Sequence, residues 1–165
     1  IPFGVAPNSQ QAIMEVASET YEKEACLYIN WVNYTVDRLE IKEHYRMIKH
    51  MSNANDIVIV DEAKPYKEYL RDLARYASIL SPEGNGIDCY RNLESVYMGS
   101  MPVLPLNHVS EALAELPIAV APNLYGLTPK ALHNTYNVLK EQGRSLEKAT
   151  LSYWKRQFES KRSLL

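Results

Sequence analysis

The stretch over residues 81–104 contains the residue types and spacings most suited to binding a ligand. Three of the six glycines fall within it, and two of them, Gly84 and Gly86, lie in one short loop. Glycine adopts backbone conformations closed to other residues and lets a ligand approach the main chain closely. Asp88 is placed to act as the N-cap of the helix that follows. A glycine-containing turn that leads into a helix offers free N–H groups and a positive dipole end, which suits a phosphate.

The helix predicted over residues 90–99 carries Arg91 and Glu94, which are three positions apart and therefore neighbours on its surface. An arginine in the first turn can bind a phosphate through two parallel N–H groups. A glutamate one turn later can accept hydrogen bonds from a ribose diol. This arrangement fits a nucleotide lying along the helix, but the spacing is equally consistent with a surface ion pair. The loop matches neither the GxGxxG fingerprint nor the GxxxxGK[ST] phosphate loop.

Strand and helix patterns alternate along the chain. Short runs rich in β-branched and aromatic residues predict strands, and apolar residues three and four apart predict helices. This alternation predicts an α/β fold, a Rossmann-like parallel sheet with helices on both faces and a C-terminal helical tail. The predicted strands cover residues 26–32, 56–61, 76–80, 101–104 and 116–121. The predicted helices cover residues 10–21, 39–51, a stretch after Pro65, and residues 90–99, 109–116, 128–142 and 145–161.

The predicted domain organisation is one Rossmann-like domain over residues 1–144, followed by a C-terminal helix over residues 145–165. Ligands of parallel sheets bind at the carboxyl ends of the strands. The loop over residues 81–88 leaves the third predicted strand at such an end. Asn30 lies near the end of the first predicted strand, where its amide either reaches a phosphate or caps a turn.

Composition excludes several classes of protein. The 165 residues include 18 basic and 20 acidic side chains, a formal charge of −2, which disfavours nucleic acid and anionic membranes as partners. No apolar run approaches the roughly 20 residues that a membrane span requires. Two cysteines exclude a disulfide framework. Because the sequence opens Ile-Pro-Phe-Gly with no signal segment, we expect the natural start to lie elsewhere or the chain to be processed.

The stretch SPEGNGIDCYRNLESVYMGSMPVL resembles the donor-binding motif of exostosin-like glycosyltransferases of the family 47 type. It departs from that pattern at Tyr90, Asn92 and Val96, where histidine, tryptophan and leucine are usual. The upstream segment LYINW, followed by Arg38, also resembles the family, and the similarity spans roughly residues 25–122. The matching positions are Ser81, Pro82, Gly84, Asn85, Gly86, Asp88, Arg91, Glu94, Gly99, Pro102 and Val103.

The resemblance implies the carboxyl-terminal, donor-binding half of a GT-B fold, with an N-terminal half as its partner outside this chain. It implies transfer of a sugar, with inversion, from a nucleoside diphosphate sugar to a glycan or other hydroxyl acceptor. No metal and no cofactor other than that donor is expected, and no general base is identifiable. Arg91 would contact the donor diphosphate and Glu94 its ribose. The predicted nucleotide-sugar site is completed by Ser81, Gly84, Asn85, Gly86, Asp88 and Asn30.

A second hypothesis fits the same residues. The chain could be a non-catalytic module of this fold that binds a nucleotide, another phosphate ligand or a partner protein. Turnover of a nucleotide sugar distinguishes the two hypotheses. The sequence leaves the compartment open, with the cytoplasm favoured and the lumen of the secretory pathway as the alternative.

Overall fold

A computed structural model of the chain contains a five-stranded parallel sheet covered by helices on both faces. It describes residues 4–6, 8–30, 56–60, 62–83, 86–122 and 127–162. The helix predicted over residues 39–51 lies outside these ranges, as do Arg38, Gly84 and Asn85. Within the same ranges, none of the helices combines the length and the apolar character that a membrane crossing requires.

Five short segments form the sheet, and each lies where an apolar run predicted a strand. Runs of this kind are typical of strands buried on both faces of a parallel sheet. The strands are β1 (Glu24–Asn30), β2 (Ile57–Val60), β3 (Tyr76–Leu80), β4 (Met101–Pro105) and β5 (Ala119–Ala121). Their spatial order is β2-β1-β3-β4-β5, and every neighbouring pair is parallel. The predicted parallel sheet is therefore confirmed.

Helices connect or flank these strands within the described residues. They are α1 (Gln10–Ala17), α2 (Tyr66–Arg75), α3 (Arg91–Tyr97), α4 (His108–Ala112), α5 (Pro129–Glu141) and α6 (Leu151–Arg162), with a 3-10 turn at Glu147–Ala149. Their apolar faces form two layers, one on each side of the sheet. On one side, Tyr28 and Ile79 share a buried cluster with Val16 of α1 and Leu73 of α2. On the other side, Leu80 and Val103 pack with Leu132 of α5.

The C-terminal tail is divided where a single helix was predicted over residues 145–161. Thr150 has an extended backbone, with φ −96° and ψ 142°, and separates the 3-10 turn from α6. Its Oγ1 accepts a hydrogen bond of 3.3 Å from the backbone N–H of Tyr153. A threonine hydroxyl that bonds the first turn in this way favours the start of a new helix. The tail is anchored through Ala149, which is buried against α3 and α4.

Candidate functional site

The strand order reverses direction between β1 and β3, and such a switch point opens a crevice at the carboxyl ends of the two strands. From β1 the chain passes to β2 on one side, and from β2 it returns to β3 on the other. In this topology ligands bind at the switch point. Tyr28 of β1 lies opposite Ile79 of β3. Asn30 and Ser81 lie two residues further along the chain from these positions, so the structure brings these two predicted site residues to the same edge of the sheet.

A buried hydrogen-bond network fixes the start of the loop after β3. The Ser81 hydroxyl donates to Oδ1 of Asn92 at 2.6 Å, and Nδ2 of Asn92 donates to Oδ1 of Asp88 at 2.8 Å. The thiol of Cys89 lies 3.2 Å from the Ser81 hydroxyl in the same cluster. Asn92 is only 1% exposed, so these bonds form away from water. The network ties both ends of the glycine loop to the first turn of α3.

Asp88 is not the N-cap that the sequence predicted. The N-cap position is Tyr90, and no side chain caps the helix there. The carboxylate of Asp88 instead accepts from Asn92, because the chain makes a turn between Asp88 and the helix start. Since α3 has only seven residues, its dipole offers less to an anion than a longer helix would.

The glycine loop is described only in part. Gly84 and Asn85 lie outside the described residues, whereas Gly86 is exposed. The φ angle of Gly86 falls outside the left-handed region, and a Cβ atom added to it would meet no described residue within 4 Å. Neither the backbone conformation nor the packing of the described residues therefore requires glycine at position 86.

Glu94 is buried between two helices. It is 3% exposed, and its carboxylate accepts a hydrogen bond of 2.7 Å from the hydroxyl of Tyr66 and one of 3.1 Å from the hydroxyl of Tyr69. Burial raises the pKa of the Glu94 carboxyl, while the two tyrosine hydroxyls and the nearby Arg91 charge oppose that rise. These contacts exclude a surface ion pair between Arg91 and Glu94. Through these two hydrogen bonds the Glu94 carboxylate connects α3 to α2.

Arg91 is half-buried at the first position of α3. Its guanidinium lies within electrostatic range of Tyr69, Cys89 and Glu94. Its Nε is buried and has no hydrogen-bond partner among the described residues. An unpaired buried donor on a charged group costs free energy that a ligand oxygen would recover. Arg91 is therefore the charged group of this cluster that holds a buried donor without a partner among the described residues.

Asn30 has a structural partner inside the fold. It is 7% exposed, and its Nδ2 donates to the hydroxyl of Tyr28 at 3.2 Å. That hydroxyl donates in turn to Oδ2 of Asp72 at 2.8 Å, and Asp72 pairs with Lys64 at 2.5 Å. The bond to Tyr28 differs from the turn cap that the sequence left open. This bond uses the amide nitrogen. The amide oxygen Oδ1 is the acceptor that Asn30 would offer to a hydrogen-bond donor of a ligand.

Helix α3 is buried on more sides than its sequence pattern indicates. Leu93 and Val96 pack in the cluster beneath α4, as their spacing predicts. Glu94, Ser95 and Met98 are also buried, although the sequence pattern allowed Glu94 to lie on the helix surface. The reason is that α1 and α2 cover the side that a helix at the edge of the sheet would expose to water. Burial of this second side is what makes hydrogen-bond partners necessary for Glu94.

Sequence reasoning missed three residues that shape this cluster, namely Tyr66, Tyr69 and Asn92. The available signal was the spacing of the two tyrosines, which are three apart and therefore on one face of a helix. Nothing in the local sequence indicates that this face meets Glu94. Asn92 was noted only as a departure from the motif, and the structure shows that its amide fits between Ser81 and Asp88.

Exposed apolar side chains lie after the strands at the carboxyl edge of the sheet. Ile87 is 49% exposed, Tyr90 is 41% exposed and Leu106 is 60% exposed, and all three follow the carboxyl ends of β3 or β4. In the ranges that the structure describes, no three His, Cys, Asp or Glu side chains are grouped so that they could hold a metal ion. His108 is exposed and lies 3.1 Å from the Glu111 carboxylate.

Comparisons with known proteins give no independent assignment. No protein-family model matches the chain, and no curated protein matches it at a significant level of similarity. The fold class, a Rossmann-like α/β domain with a C-terminal helix, is the part of the assignment that the structure establishes.

Proposed function

We propose that this chain is the donor-binding domain of a glycosyltransferase that uses a nucleoside diphosphate sugar. In the reaction, the bond between the anomeric carbon and the diphosphate breaks, and a bond to an acceptor hydroxyl forms. The acceptor proton passes to a base outside the residues assigned here. The exostosin-like motif over residues 81–104 supports this proposal, as does the position of Ser81 and Arg91 of that motif at the carboxyl edge of the sheet.

The observation that carries the proposal is the state of Arg91. This guanidinium is half-buried beside the switch-point crevice, and its buried Nε lacks a partner within the described residues. A diphosphate supplies several acceptor oxygens, and arginine binds such groups through two N–H bonds at once. Charge neutralisation at the departing diphosphate is a large contribution to catalysis in transfers of this type. Arg91 would supply it without a metal ion.

Under this proposal Glu94 can bind the donor ribose only if a neighbouring side chain moves. Two tyrosine hydroxyls already bond its carboxylate, and 3% of the residue is exposed. A carboxylate can accept about four hydrogen bonds, so two remain for a ribose diol. A ribose could reach them if the side chain of Tyr66, which is half-buried, moved aside. Donor binding would then exchange a phenol for a ribose hydroxyl at the same oxygen.

The hydrogen bonds that Glu94 accepts from Tyr66 and Tyr69 also support a second candidate function. If the carboxylate remains a structural link between α2 and α3, the domain binds a phosphate ligand through Arg91 alone. It would then be a non-catalytic module of the same fold. Under this alternative Glu94→Gln changes stability and leaves the affinity for nucleotide unaltered.

Calorimetric titration with UDP and GDP tests the proposal. We expect Arg91→Ala to weaken nucleoside diphosphate binding by about tenfold to a hundredfold, because it removes charge-assisted hydrogen bonds worth roughly 1.5–3 kcal/mol. Arg91→Lys keeps the charge and loses the two-pronged geometry, so its affinity should lie between those of Arg91→Ala and wild type. The matched control is Arg71→Ala, since Arg71 is a surface arginine paired with Glu19.

Two results would overturn the proposal. One is equal affinity of wild type and Arg91→Ala for both nucleotides, provided that thermal unfolding shows both proteins folded. The other is failure of wild type to bind either nucleotide. Sugar release from a panel of nucleotide sugars, measured on the chain together with its N-terminal half, then separates the enzyme from the non-catalytic module.

A further inference from the structure

A cavity of about 200 Å³ lies at the amino-terminal edge of the sheet, at the opposite end of the strands from the candidate donor site. It is bounded by the end of α3, the start of β4 and the end of α5. Its polar lining consists of Ser100, Tyr136, Lys140 and Arg144. This lining contains two cations and two hydroxyl groups but no aspartate or glutamate, so its charge favours an anion.

The remaining walls of the cavity are mostly apolar. Val96, Met101, Pro117, Leu139 and Leu146 form them. Val96 and Met101 are 1% exposed and belong to the cores on the two sides of the sheet, so this part of the wall is rigid. A ligand that fills such a cavity combines an apolar body with a small number of polar groups.

Lys23 adds a third positive charge behind this lining. Its ammonium group donates to the carbonyl of Met98 at 2.8 Å and to the hydroxyl of Ser100 at 2.6 Å. No carboxylate among the described residues pairs with it. Burial lowers the pKa of Lys23 to about 8, and repulsion from Lys140 acts in the same direction. The mutual repulsion of Lys23 and Lys140 indicates a local excess of positive charge that a bound anion would neutralise.

Carbonyl groups just after α3 and α4 accept hydrogen bonds from Lys23 and Arg144. These bonds do not use every donor of the cations around the cavity. Lys23 bonds the carbonyl of Met98 at the end of α3. Nη1 of Arg144 donates to the carbonyls of Ala114 at 2.7 Å and Leu116 at 3.1 Å, and Nε bonds the side chain of Gln142.

Two donors remain at the cavity. Within the described part of the chain, neither Nη2 of Arg144 nor the ammonium group of Lys140 donates to another residue. Arg144 is half-buried and Lys140 is exposed, so one donor is held in place by packing and the other is free to move onto a ligand.

We propose that this cavity binds a small organic anion, with a phosphate or carboxylate head group between Lys140 and Arg144 and an apolar body against Met101 and Leu139. The site is separate from the proposed donor site, because the two lie at opposite edges of the sheet. Its occupation by a ligand would tie the end of α5 to the start of β4.

Heteronuclear NMR titration of the whole chain with phenyl phosphate tests this inference, with benzoate as a second arm for the carboxylate head group. We expect shifts of the backbone amides of Gly99, Ser100 and Gly143, which surround the cavity. Inorganic phosphate lacks the apolar body and phenol lacks the charge, so both should bind more weakly than phenyl phosphate. Shifts from at least one of the two organic anions support the site.

Lys140→Glu provides the matched variant, because Lys140 is exposed and its ammonium group donates no hydrogen bond to the residues that the structure describes. We expect it to weaken binding by at least about tenfold. Lys130→Glu makes the same charge change on the same helix, away from the cavity, and should retain wild-type affinity. The proposal is wrong if neither anion shifts these amides at millimolar concentration, or if both variants bind like wild type. UDP titrations report on the other edge, so failure there leaves this result unaffected.

Discussion

The hydroxyl of Tyr66 donates a hydrogen bond of 2.7 Å to Oε1 of Glu94, a residue 28 positions further along the chain. Tyr69 supplies a second donor to Oε2 at 3.1 Å. A carboxylate that is 3% exposed would be costly without such partners. The two phenols therefore make it possible for α2 and α3 to pack with a charge between them.

Removal of one phenol tests this account. We expect Tyr66→Phe to lower the free energy of unfolding by about 1–2 kcal/mol, the cost of leaving a buried acceptor with one donor fewer. Tyr21→Phe is the matched control, because its phenol bonds Glu19 on the surface and its loss should cost well under that amount. Urea unfolding measures both. Equal effects of the two variants would contradict a special role for Tyr66.

Tyr66→Phe should also change how stability depends on pH. The pKa of Glu94 in the folded protein is raised by burial above its ordinary value of 4.5. Stability from this group is fully present below pH 4.5 and is lost as pH rises through the folded-state pKa. Loss of a donor raises that pKa further, so the window of falling stability widens towards higher pH. Carbon-13 NMR of the Glu94 carboxyl measures the shift, and Glu94→Gln should abolish this dependence.

Asn92 holds the glycine loop, and its truncation should loosen that loop. We expect Asn92→Ala to lower the free energy of unfolding by about 2–3 kcal/mol, because the Ser81 hydroxyl loses its acceptor and Asp88 loses its donor in a buried cluster. Hydrogen exchange at Gly86 and Ile87 should accelerate. Asn137→Ala removes an exposed amide from α5 and should change neither quantity. Unaltered exchange in Asn92→Ala would show that the loop is held by other contacts.

Gly86→Ala separates a ligand's requirement for glycine from the fold's requirement. An added Cβ atom meets none of the described residues within 4 Å and the φ angle is ordinary, so the thermal unfolding temperature should stay close to wild type. If a diphosphate approaches the main chain at this loop, the methyl group should weaken UDP or GDP binding about tenfold by calorimetry. Retained affinity in the folded variant would remove Gly86 from the donor site.

Lys23 should give the protein a rise in stability at alkaline pH. Its pKa is about 8 in the folded protein against an ordinary value of 10.5. Between these values the unfolded chain binds more protons than the folded chain, so the free energy of unfolding increases with pH. We expect a gain on the order of 2 kcal/mol from pH 8 to 10 relative to Lys23→Met, measured by urea unfolding. Lys130→Met should keep the wild-type slope, and an identical slope in Lys23→Met would refute the assignment.

The sequence by itself determined the class of fold and the positions of most elements. Ile57–Val60 is a continuous run of β-branched residues, and such a run favours a strand at any place in a sheet. Tyr76–Leu80 forms a strand over the residues predicted, because burial on both faces leaves the same apolar signature in the sequence. The position of Arg91 at the start of a helix after that strand also follows from local pattern alone.

Tertiary structure alone decided which side chains meet. The sequence placed Glu94 one turn beyond Arg91, but its partners Tyr66 and Tyr69 come from a helix that only the strand order β2-β1-β3 brings alongside. Similarly, the sequence predicts Asp88 as a helix N-cap, but in the structure its carboxylate accepts a hydrogen bond from the side chain of Asn92. Local patterns encode backbone preference and burial, whereas the hydrogen-bond partner of a buried polar group depends on packing between distant segments. For this reason the sequence could identify Glu94 as a candidate site residue, whereas its burial and its hydrogen bonds to two tyrosines could be established only from the fold.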